Sequence, residues 1–366
     1  MSDQISVIQP STTEDVCEVV RAHEKILPVG RQTKPLLSAG REATILSTKN
    51  LSGSVQYEAS EFTFTARAGT TISEIESVLA NRCQYLPFDP PLSDCGGKIG
   101  ATIGGTVAAG LSGAGQFRFG GIRDFLLGVQ FVAGDGSVIQ AGGKVVKNAA
   151  GFDIPKLMVG SLGKFGVLTE LTFKVFPKPP DVLTIFVDCQ EHAEAFALIA
   201  QLARSRFEFD AIDYRAIEKR IALRLRGDDA VNRQMANVIG QSIAASIDIV
   251  SDDDASLFWS GVRELKWHTP DATILKVPHT PAQALELIKW SDLREDTNIH
   301  VMAAGAVSWI ALSDEAVAGL HQQLCKLEIP AVAVMGPGDR SQWGYREPDE
   351  LHERIRCALD PVARFV

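Results

Sequence analysis

The most informative stretch of the sequence is GGKIGATIGGTVAAGLSGAG, which spans residues 96–115. Its glycines let the backbone approach a flat or phosphorylated ligand closely. Thr102 and Thr106 add hydroxyl groups, and no side chain beyond Lys98 carries a charge. So many glycines also cost conformational entropy on folding, which favours a compensating role. The residues themselves leave two interpretations open: a ligand cradle, which we favour, and a glycine-rich packing loop.

A second loop, PVGRQTKP at residues 28–35, follows the apolar pair Ile26 and Leu27. Gly30 allows the chain to turn with its amides exposed, and residues 31–34 add hydrogen-bond donors and positive charge. Exposed amides beside cations suit a diphosphate. An ordinary surface turn would have the same composition, and on this loop alone it is the simpler interpretation.

A third glycine cluster is VGSLGKFGVLTE, residues 159–170, in which glycine recurs at every third position from Gly160. It indicates either another backbone cradle or a tight turn from a helix into a strand. Neither G-x-G-x-x-G nor G-x-x-x-x-G-K-[ST] occurs in the chain. A Rossmann NAD site and a P-loop NTPase therefore lose support.

Length and composition predict about two domains of an ordinary globular protein, with 366 residues, 45% of them hydrophobic and 22% charged. The net charge of −9 argues against a nucleic-acid partner or a polybasic membrane contact. Six scattered cysteines without a C-x-x-C motif predict reduced thiols in a cytoplasmic protein. Residues 1–15 resemble no secretory signal, and the uncharged run at 99–117 predicts a glycine-rich loop rather than a membrane helix.

Hydrophobic periodicity and turn residues predict the order of elements. We expect a helix over residues 11–26, a half-buried strand over 54–69, a helix from Thr71 to about 81, a hairpin over 126–143 and a strand over 167–180. The prolines that end this strand place a domain boundary near 177–182. Beyond it the pattern is β-α-β-β-α-β-α-β-α, a β-hairpin, α, β and a last helix at 347–359, which is typical of an α+β domain with helices on a sheet.

Taken in order, the motifs of residues 26–178 resemble the FAD-binding domain of the vanillyl-alcohol-oxidase, or PCMH-type, family. Within that family FDPP at 88–91, GGIRDFLLGVQFV at 120–132 and GGKVVKNAAGFDIPKLMVGSLG at 142–163 resemble the FAD-binding subunits of glycolate oxidases. The resemblance implies an α+β fold with a two-lobed FAD domain at 1–180, divided near residue 85. It further implies a smaller α+β cap, with helices on an antiparallel sheet, at 181–366.

The same resemblance implies a redox subunit that passes electrons from glycolate or a similar small 2-hydroxy acid through FAD to an iron–sulfur subunit. A second flavin subunit would accompany it. The complex would be cytoplasmic or held at the inner membrane face, with no membrane insertion and no nucleic acid. Two other functions stay open: a self-sufficient FAD-linked oxidase or dehydrogenase of another alcohol or hydroxy acid, and a flavin-free assembly subunit.

The family's cofactor contacts can be carried over only onto matching positions. The expected FAD-binding residues are Pro28, Val29, Gly30, Arg31, Gln32, Thr33, Lys34, Pro91, Gly100, Ala101, Thr102, Gly104, Gly105, Gly110, Gly166 and Val167, and Lys147, Asn148 and Asp153 are expected near the ring system. Members with covalent flavin often carry a His in the first loop, whereas this loop has none, which implies non-covalent FAD. The surroundings of Cys95 do not match the pattern of a flavin-linked cysteine.

The catalytic residues stay unassigned at this point. His300 and Lys147 are weak candidates, and a hydrogen-bonded strand histidine is the simpler interpretation of His300. No second His stands within ligating distance of it in sequence, so we expect no metal site. Cations that suit a substrate carboxylate are Arg31, Arg118, Arg123 and Lys147, each equally suited to a structural salt bridge. The chain ends in ALDPVARFV, which lacks the rest of the family's tail and fits a site completed by partners.

Overall fold

The structure is a computed structural model that describes residues 7–39, 42–92, 100–143, 152–243, 245–269, 271–347 and 350–366. Three positions that the sequence singles out, Cys95, Lys147 and Asn148, lie outside the described residues, as do residues 96–99 of the long glycine-rich stretch.

The helices and strands of residues 7–177 are, in chain order, β1 (Val7–Ile8), α1 (Thr13–Ala22), β2 (Ile26–Val29), β3 (Thr44–Ser47), β4 (Ser54–Glu58), β5 (Thr63–Arg67), α2 (Ile72–Ala80), β6 (Gln84–Tyr85), α3 (Ile103–Ala109), α4 (Gln116–Phe119), α5 (Ile122–Phe125), β7 (Leu126–Val132), β8 (Val138–Gly142), α6 (Ile154–Met158), β9 (Val167–Lys174) and β10 (Phe176–Pro177). Short 3-10 helices lie at Pro35–Ser38, Thr48–Asn50 and Ala59–Glu61.

The elements that follow are β11 (Asp181–Asp188), α7 (His192–Ala203), β12 (Ala211–Arg215), β13 (Arg220–Gly227), α8 (Asp229–Ile243), β14 (Asp248–Ile249), α9 (Asp252–Arg263), β15 (Thr273–Pro278), α10 (Pro281–Ser291), β16 (Asn298–Met302), β17 (Val307–Leu312), α11 (Asp314–Lys326), β18 (Pro330–Met335), β19 (Gln342–Gly344) and α12 (Glu350–Leu359), with a 3-10 helix at Ala303–Gly305. This order confirms the alternation predicted after residue 180 and the predicted α+β fold class.

Two larger sheets and the two-stranded pair of β6 and β10 form the described first part of the molecule. A parallel sheet has the order β1-β3-β2, and an antiparallel sheet has the order β4-β5-β9-β7-β8. Helix α1 begins at a capping box made by Thr12 and Asp15. It packs Val16 and Val20 into a core that both sheets share through Leu46 and Val132. Helices α2 and α3 pack on the second sheet, and the residues just before them meet through the pairing of Thr71 with Thr102.

The predicted strand at 54–69 is wrong in one respect, because it is a hairpin of β4 and β5 rather than one strand. Phe62 adopts a left-handed conformation (φ 52°) after the turn at Ala59–Glu61, and this reverses the chain. Strand β5 then pairs with β9. Both strands of the hairpin therefore belong to the second sheet, and the change from one sheet to the next falls near residue 50 rather than near 85.

A nine-stranded sheet forms the second part, with the order β14-β11-β13-β12-β16-β17-β15-β18-β19 and antiparallel pairing throughout. One face packs against α7, α8, α10 and α11. The other face packs against α9 and against Leu111 and Ala114 of the first part. Side chains alternate across β15, so Leu275 and Val277 point to the outer face while Ile274 points toward the first part.

The end of the chain returns to the first part. Phe365 pairs with Ile26 beside β2, and the Asp360 carboxylate accepts hydrogen bonds from the amides of Arg364 (2.9 Å) and Phe365 (2.8 Å). Arg364 also donates to the carbonyl of Val20. The short tail, in which the sequence shows only part of the family pattern, is therefore anchored within this chain. Residues 350–366 lie with the first part instead of with the nine-stranded sheet.

Candidate functional site

A groove lies where the three glycine-rich loops meet, with about 590 Å³ of empty space in its larger section. A smaller section of about 330 Å³ continues from it, and both sections share Pro28, Val29, Gly30, Gly105 and Ala108. Thirteen of the expected FAD-binding residues line the two sections: Pro28, Val29, Gly30, Arg31, Gln32, Thr33, Lys34, Ala101, Thr102, Gly104, Gly105, Gly166 and Val167. The fold thus brings together segments more than 130 positions apart in sequence.

The first loop presents hydrogen-bond donors without acceptors. The amides of Arg31, Gln32 and Thr33 donate no hydrogen bond to any described residue. Gln32 has φ 53°, a left-handed conformation that is uncommon outside glycine and that turns successive amides toward one side. The Nε atom of Arg31 is also buried without a partner. Unpaired buried donors are costly, so this loop is suited to an anion.

The glycines of the second loop leave space that the side chains of other residues would fill. A Cβ on Gly30 would overlap Thr102 Oγ1, and a Cβ on Gly104 would lie 2.7 Å from Ala68 Cβ. Glycine at position 30 therefore lets the first loop pack closely on the second, and glycine at position 104 lets α3 pack closely on Ala68. At Gly105 the only neighbour of such a Cβ is Thr102 Oγ1 at 3.0 Å, so Gly105 faces open groove. We call the space left by the missing side chain of Gly105 the cradle, because a ligand can occupy it.

The third loop closes the smaller section. Gly166 has φ 147°, and a Cβ there would lie 2.6 Å from the ring of Phe131. Gly163 has φ 80° and packs on Pro28 of the first loop. Val167 then starts β9, so the loop is both a tight turn into a strand and a wall of the groove. The loop therefore has features of both interpretations offered by the sequence, since it turns the chain into a strand and also lines the groove.

Three expected cofactor residues lie beside the groove instead of lining it. The Pro91 carbonyl accepts a hydrogen bond from Lys34 Nζ at 3.5 Å. Gly100 lies against Thr71. Gly110 ends α3 in a left-handed conformation, with a groove-lining residue on each side of it in the chain.

The other charged candidates are placed outside the groove lining. Arg118 forms an ion pair with Glu208, and Arg123 is exposed. Asp153 is exposed and caps α6 by accepting from the Lys156 amide at 3.3 Å. Of the cations proposed for a carboxylate, Arg31 is therefore the one that the described structure places in the groove.

His300 is a fully buried residue of β16. Its Nε2 lies 2.9 Å from Oδ2 of Asp213, which is also fully buried, and the rings of Trp267 and Phe258 lie beside it. These contacts favour the strand-histidine interpretation. Within the described ranges, no three His, Cys, Asp or Glu residues are grouped so that they could hold a metal ion.

Two features of the contact between the first part and the nine-stranded sheet were not predicted from the sequence. Asp89 contacts Arg224 and Arg226 of β13, and Arg226 Nε lies 2.8 Å from Asp210 Oδ2. Burial alone would raise the pKa of the Asp89 carboxyl, but Arg224 and then Arg226 hold it below its ordinary value. The other feature is Lys276, whose signal was a single charge inside the apolar strand β15.

Comparison with known proteins bears directly on the groove. Residues 5–142 match the family model described as FAD binding domain. This part of the chain is therefore similar to the FAD-binding domains of that family. It contains the first two glycine-rich loops, whose free donors and empty cradle fit FAD, with its diphosphate and flat ring. None of the described helices has both the length and the apolar character to cross a membrane.

Relatives extend the match beyond the FAD-binding domain. The chain is 29% identical to glycolate oxidase subunit GlcE of Escherichia coli over 350 residues, which cover 89% of this chain and 95% of that protein. It is 27% identical to D-lactate dehydrogenase of Archaeoglobus fulgidus over 64% of this chain and 52% of that protein. The chain thus spans nearly all of the first relative and about half of the second.

Solved structures support the fold over the whole chain. The 4-ethylphenol oxidase of Gulosibacter chungangensis superposes with a TM-score of 0.73 at 14% identity, covering 99% of this chain and 89% of that one. Alkyldihydroxyacetonephosphate synthase superposes with a TM-score of 0.71 at 15% identity, covering 98% of this chain and 74% of that one. At such low identity these matches concern the fold alone.

Proposed function

We propose that this chain is the FAD-binding redox subunit of a complex that oxidises the CH–OH group of glycolate or a similar small 2-hydroxy acid. The observation that carries the proposal is the groove, in which the first loop supplies unpaired donors and the second loop an empty cradle at Gly105. The 29% identity to a glycolate oxidase subunit over 89% of the chain supports the substrate class.

The described residues suggest how FAD is held. The amides of residues 31–33 and the Arg31 guanidinium bind the diphosphate, since they are the donors that lack acceptors. Gly105 gives the cofactor room, and Gly166 and Val167 meet its adenine half through main-chain groups. The FAD-binding part ends near residue 180, residues 181–347 form the cap, and residues 350–366 return to the FAD-binding part.

We propose that FAD is bound without a covalent link. Covalent attachment needs a nucleophilic side chain at the flavin, and the described lining of the groove contains no His, Cys or Tyr. The anchored tail supports retention of FAD by this chain itself.

The reaction turns the CH–OH carbon of the acid into a carbonyl carbon. Its C–H bond breaks with both electrons, and its O–H bond releases a proton to a base or to water. The chemistry supplied by bound FAD is acceptance of that hydride and delivery of two electrons to an acceptor. The chain must orient the acid, neutralise its carboxylate and exclude water around the reacting carbon.

The partners follow from the similarity to a subunit that carries the name GlcE. We propose a second flavin subunit and an iron–sulfur subunit as the path for electrons, in a cytoplasmic complex or one held at the inner membrane face. The alternative functions, a self-sufficient oxidase and a flavin-free assembly subunit, become outcomes of the test.

The test starts with the visible spectrum of the purified chain, repeated on the supernatant after acid precipitation. We expect a flavin spectrum that passes wholly into the supernatant. Anaerobic glycolate is then added, with acetate as a control that has the carboxylate but no hydroxyl group. Glycolate should bleach the flavin band, and acetate should not.

Repeating the titration with and without the candidate subunits separates the alternatives. Bleaching that requires the partners supports a subunit, whereas equally fast bleaching without them supports a self-sufficient enzyme. A chain that neither contains nor takes up FAD would overturn the proposal in favour of an assembly subunit. A flavoprotein that no 2-hydroxy acid reduces, with or without partners, would overturn the substrate class.

A further inference from the structure

Lys276 is a cation without an acidic partner among the described residues. It extends from β15 on the face of the nine-stranded sheet that packs against the first part, between Ile274 and Pro278 in sequence. Its Nζ donates to the carbonyl of Gly110 at 2.7 Å. No Asp or Glu of the described chain forms an ion pair with it, and burial lowers its pKa to about 8. Because this pKa lies above 7, the ammonium stays mainly charged at neutral pH.

Other buried cations at this interface are compensated. Arg224 has both Asp89 and Asp210, and Arg263 lies 2.7 Å from Glu76. An ammonium has three N–H donors, and Gly110 accepts only one of them. Lys276 is half-buried, and a cation that is largely removed from water without a counterion is costly to keep, so the site suits an anion that the described residues do not provide.

The position of this ammonium links it to the groove. Gly110 lies between Ala109 and Leu111, and both of these residues line the larger section. Beside Lys276 on the sheet, the directly paired residues are Trp309 of β17 and Val332 of β18, whose side chains share its face. Trp309 is buried. One cation beside an aromatic wall suits a small monoanion better than a polyphosphate.

We propose that Lys276 binds the carboxylate of the 2-hydroxy acid beside the groove, where Gly110 ends α3 and the nine-stranded sheet packs against the first part. This inference rests on the proposed function, because it takes the substrate class from it. It assigns a substrate contact to the cap, whereas the FAD contacts come from the glycine-rich loops. Lys276 would fix the orientation of the acid, with its apolar neighbours excluding water.

The test compares Lys276→Met, which keeps the length of the side chain without its charge, with Lys276→Arg, which keeps the charge. Lys219→Met is the matched control, because Lys219 Nζ also donates to a carbonyl, that of Gln190 at 2.8 Å, but at an exposed site. The readouts are the KM and kcat for glycolate in the assembled complex, the Kd of FAD, and calorimetric binding of oxamate, an unreactive small carboxylate.

We expect Lys276→Met to raise the KM for glycolate and the Kd of oxamate at least thirtyfold and to change the Kd of FAD less than threefold. Lys276→Arg should recover most of the affinity, and Lys219→Met should match the wild type. Unchanged oxamate binding in Lys276→Met would overturn the inference, as would a loss of FAD that parallels the loss of oxamate. If glycolate never reduces the wild-type flavin, the proposed function fails, while oxamate binding still decides whether Lys276 holds a carboxylate.

Discussion

The groove and the ion cluster of Asp89, Asp210, Arg224 and Arg226 both lie where distant segments meet, yet they use their polar groups in opposite ways. In the ion cluster every cation faces a carboxylate, so the charges neutralise one another inside the protein, although Asp210 Oδ1 and Arg226 Nε form no hydrogen bond of good geometry. In the groove the Arg31 Nε and the neighbouring amides have no acceptor among the described residues.

This difference distinguishes polar groups that stabilise the fold from polar groups that are available to bind a ligand. A buried charge with its counterion holds two parts together, whereas a buried donor without an acceptor creates a demand that a ligand can meet. By this criterion Lys276, which has no acidic partner among the described residues, resembles the groove donors rather than the ion cluster, from which it is separated by several strands.

The largest effect should follow from breaking the ion cluster. Asp89→Asn leaves Arg224 and Arg226 with one acid instead of two, and removal of a partner from a buried pair costs about 3–5 kcal/mol of unfolding free energy. Urea denaturation measures this loss. The control Asp188→Asn breaks an ion pair between Asp188 and Arg220 whose side chains are 63% and 38% exposed, and it should cost under about 1 kcal/mol.

The pH dependence of the same variant has a defined sign. The pKa of Asp89 is lowered in the folded protein, so its contribution to stability is present above the unfolded value of about 3.9 and disappears as the pH falls through the lower folded value. The stability difference between wild type and Asp89→Asn should therefore narrow below about pH 4. A difference that stays constant down to pH 2 would show that Asp89 acts through packing alone.

The sequence signals for the groove are local. Glycines must stand where the backbone turns or where two segments touch, and Gly30, Gly104 and Gly166 each meet one of those conditions. The hairpin at 126–143 and the helix that begins at Thr71 are similarly local predictions, and the structure has both. Local conformation can be inferred from a few neighbouring residues, which is why these predictions succeeded.

Pairings between residues far apart in the chain could not be predicted from the sequence. Asp89 and Arg224 are 135 positions apart, and neither has a neighbour that marks its partner. The tail reaches the first part through the pairing of Phe365 with Ile26, although ALDPVARFV shows only part of the family pattern. The hairpin at 54–67 was missed because alternation continues across its turn, and only the conformation of Phe62 reverses the chain.

A smaller effect on stability, but a large one on binding, should follow from filling the cradle. Gly105→Val places two methyl groups in the open groove, so we expect at least a hundredfold weaker binding of FAD, measured by titrating the apoprotein with FAD in the visible range. The fold should keep its stability within about 1 kcal/mol, because nothing but Thr102 Oγ1 lies near the new Cβ. Gly261→Val is the matched control, since Gly261 is also helical and has no atom within 4 Å of a Cβ. Full FAD affinity in Gly105→Val would mean that the cofactor lies elsewhere.

The smallest expected effect is a difference in FAD affinity between variants of two helix N-caps of the same kind. Thr102 accepts from the Gly105 amide at 3.2 Å at the start of α3, and Thr280 accepts from the Gln283 amide at 3.3 Å at the start of α10. Replacing either by Ala should cost about 1 kcal/mol of unfolding free energy. We expect Thr102→Ala alone to weaken FAD binding, by a factor of about three to ten, because its hydroxyl fixes the cradle. Equal FAD affinity in both variants would reduce Thr102 to an ordinary cap.

A double-mutant cycle takes the same site further. Gly30→Ala overlaps Thr102 Oγ1 in the wild type, but Thr102→Ala removes that atom and leaves no other neighbour of the new Cβ closer than Thr102 Cβ at 3.5 Å. The destabilisation by Gly30→Ala, measured by urea denaturation, should therefore be smaller in the Thr102→Ala background by about 1 kcal/mol or more. Simple additivity would mean that the first loop moves freely relative to α3. A groove with such a mobile wall could not hold the unpaired donors of residues 31–33 in place, and the distinction between groove and ion cluster would then lose its structural basis.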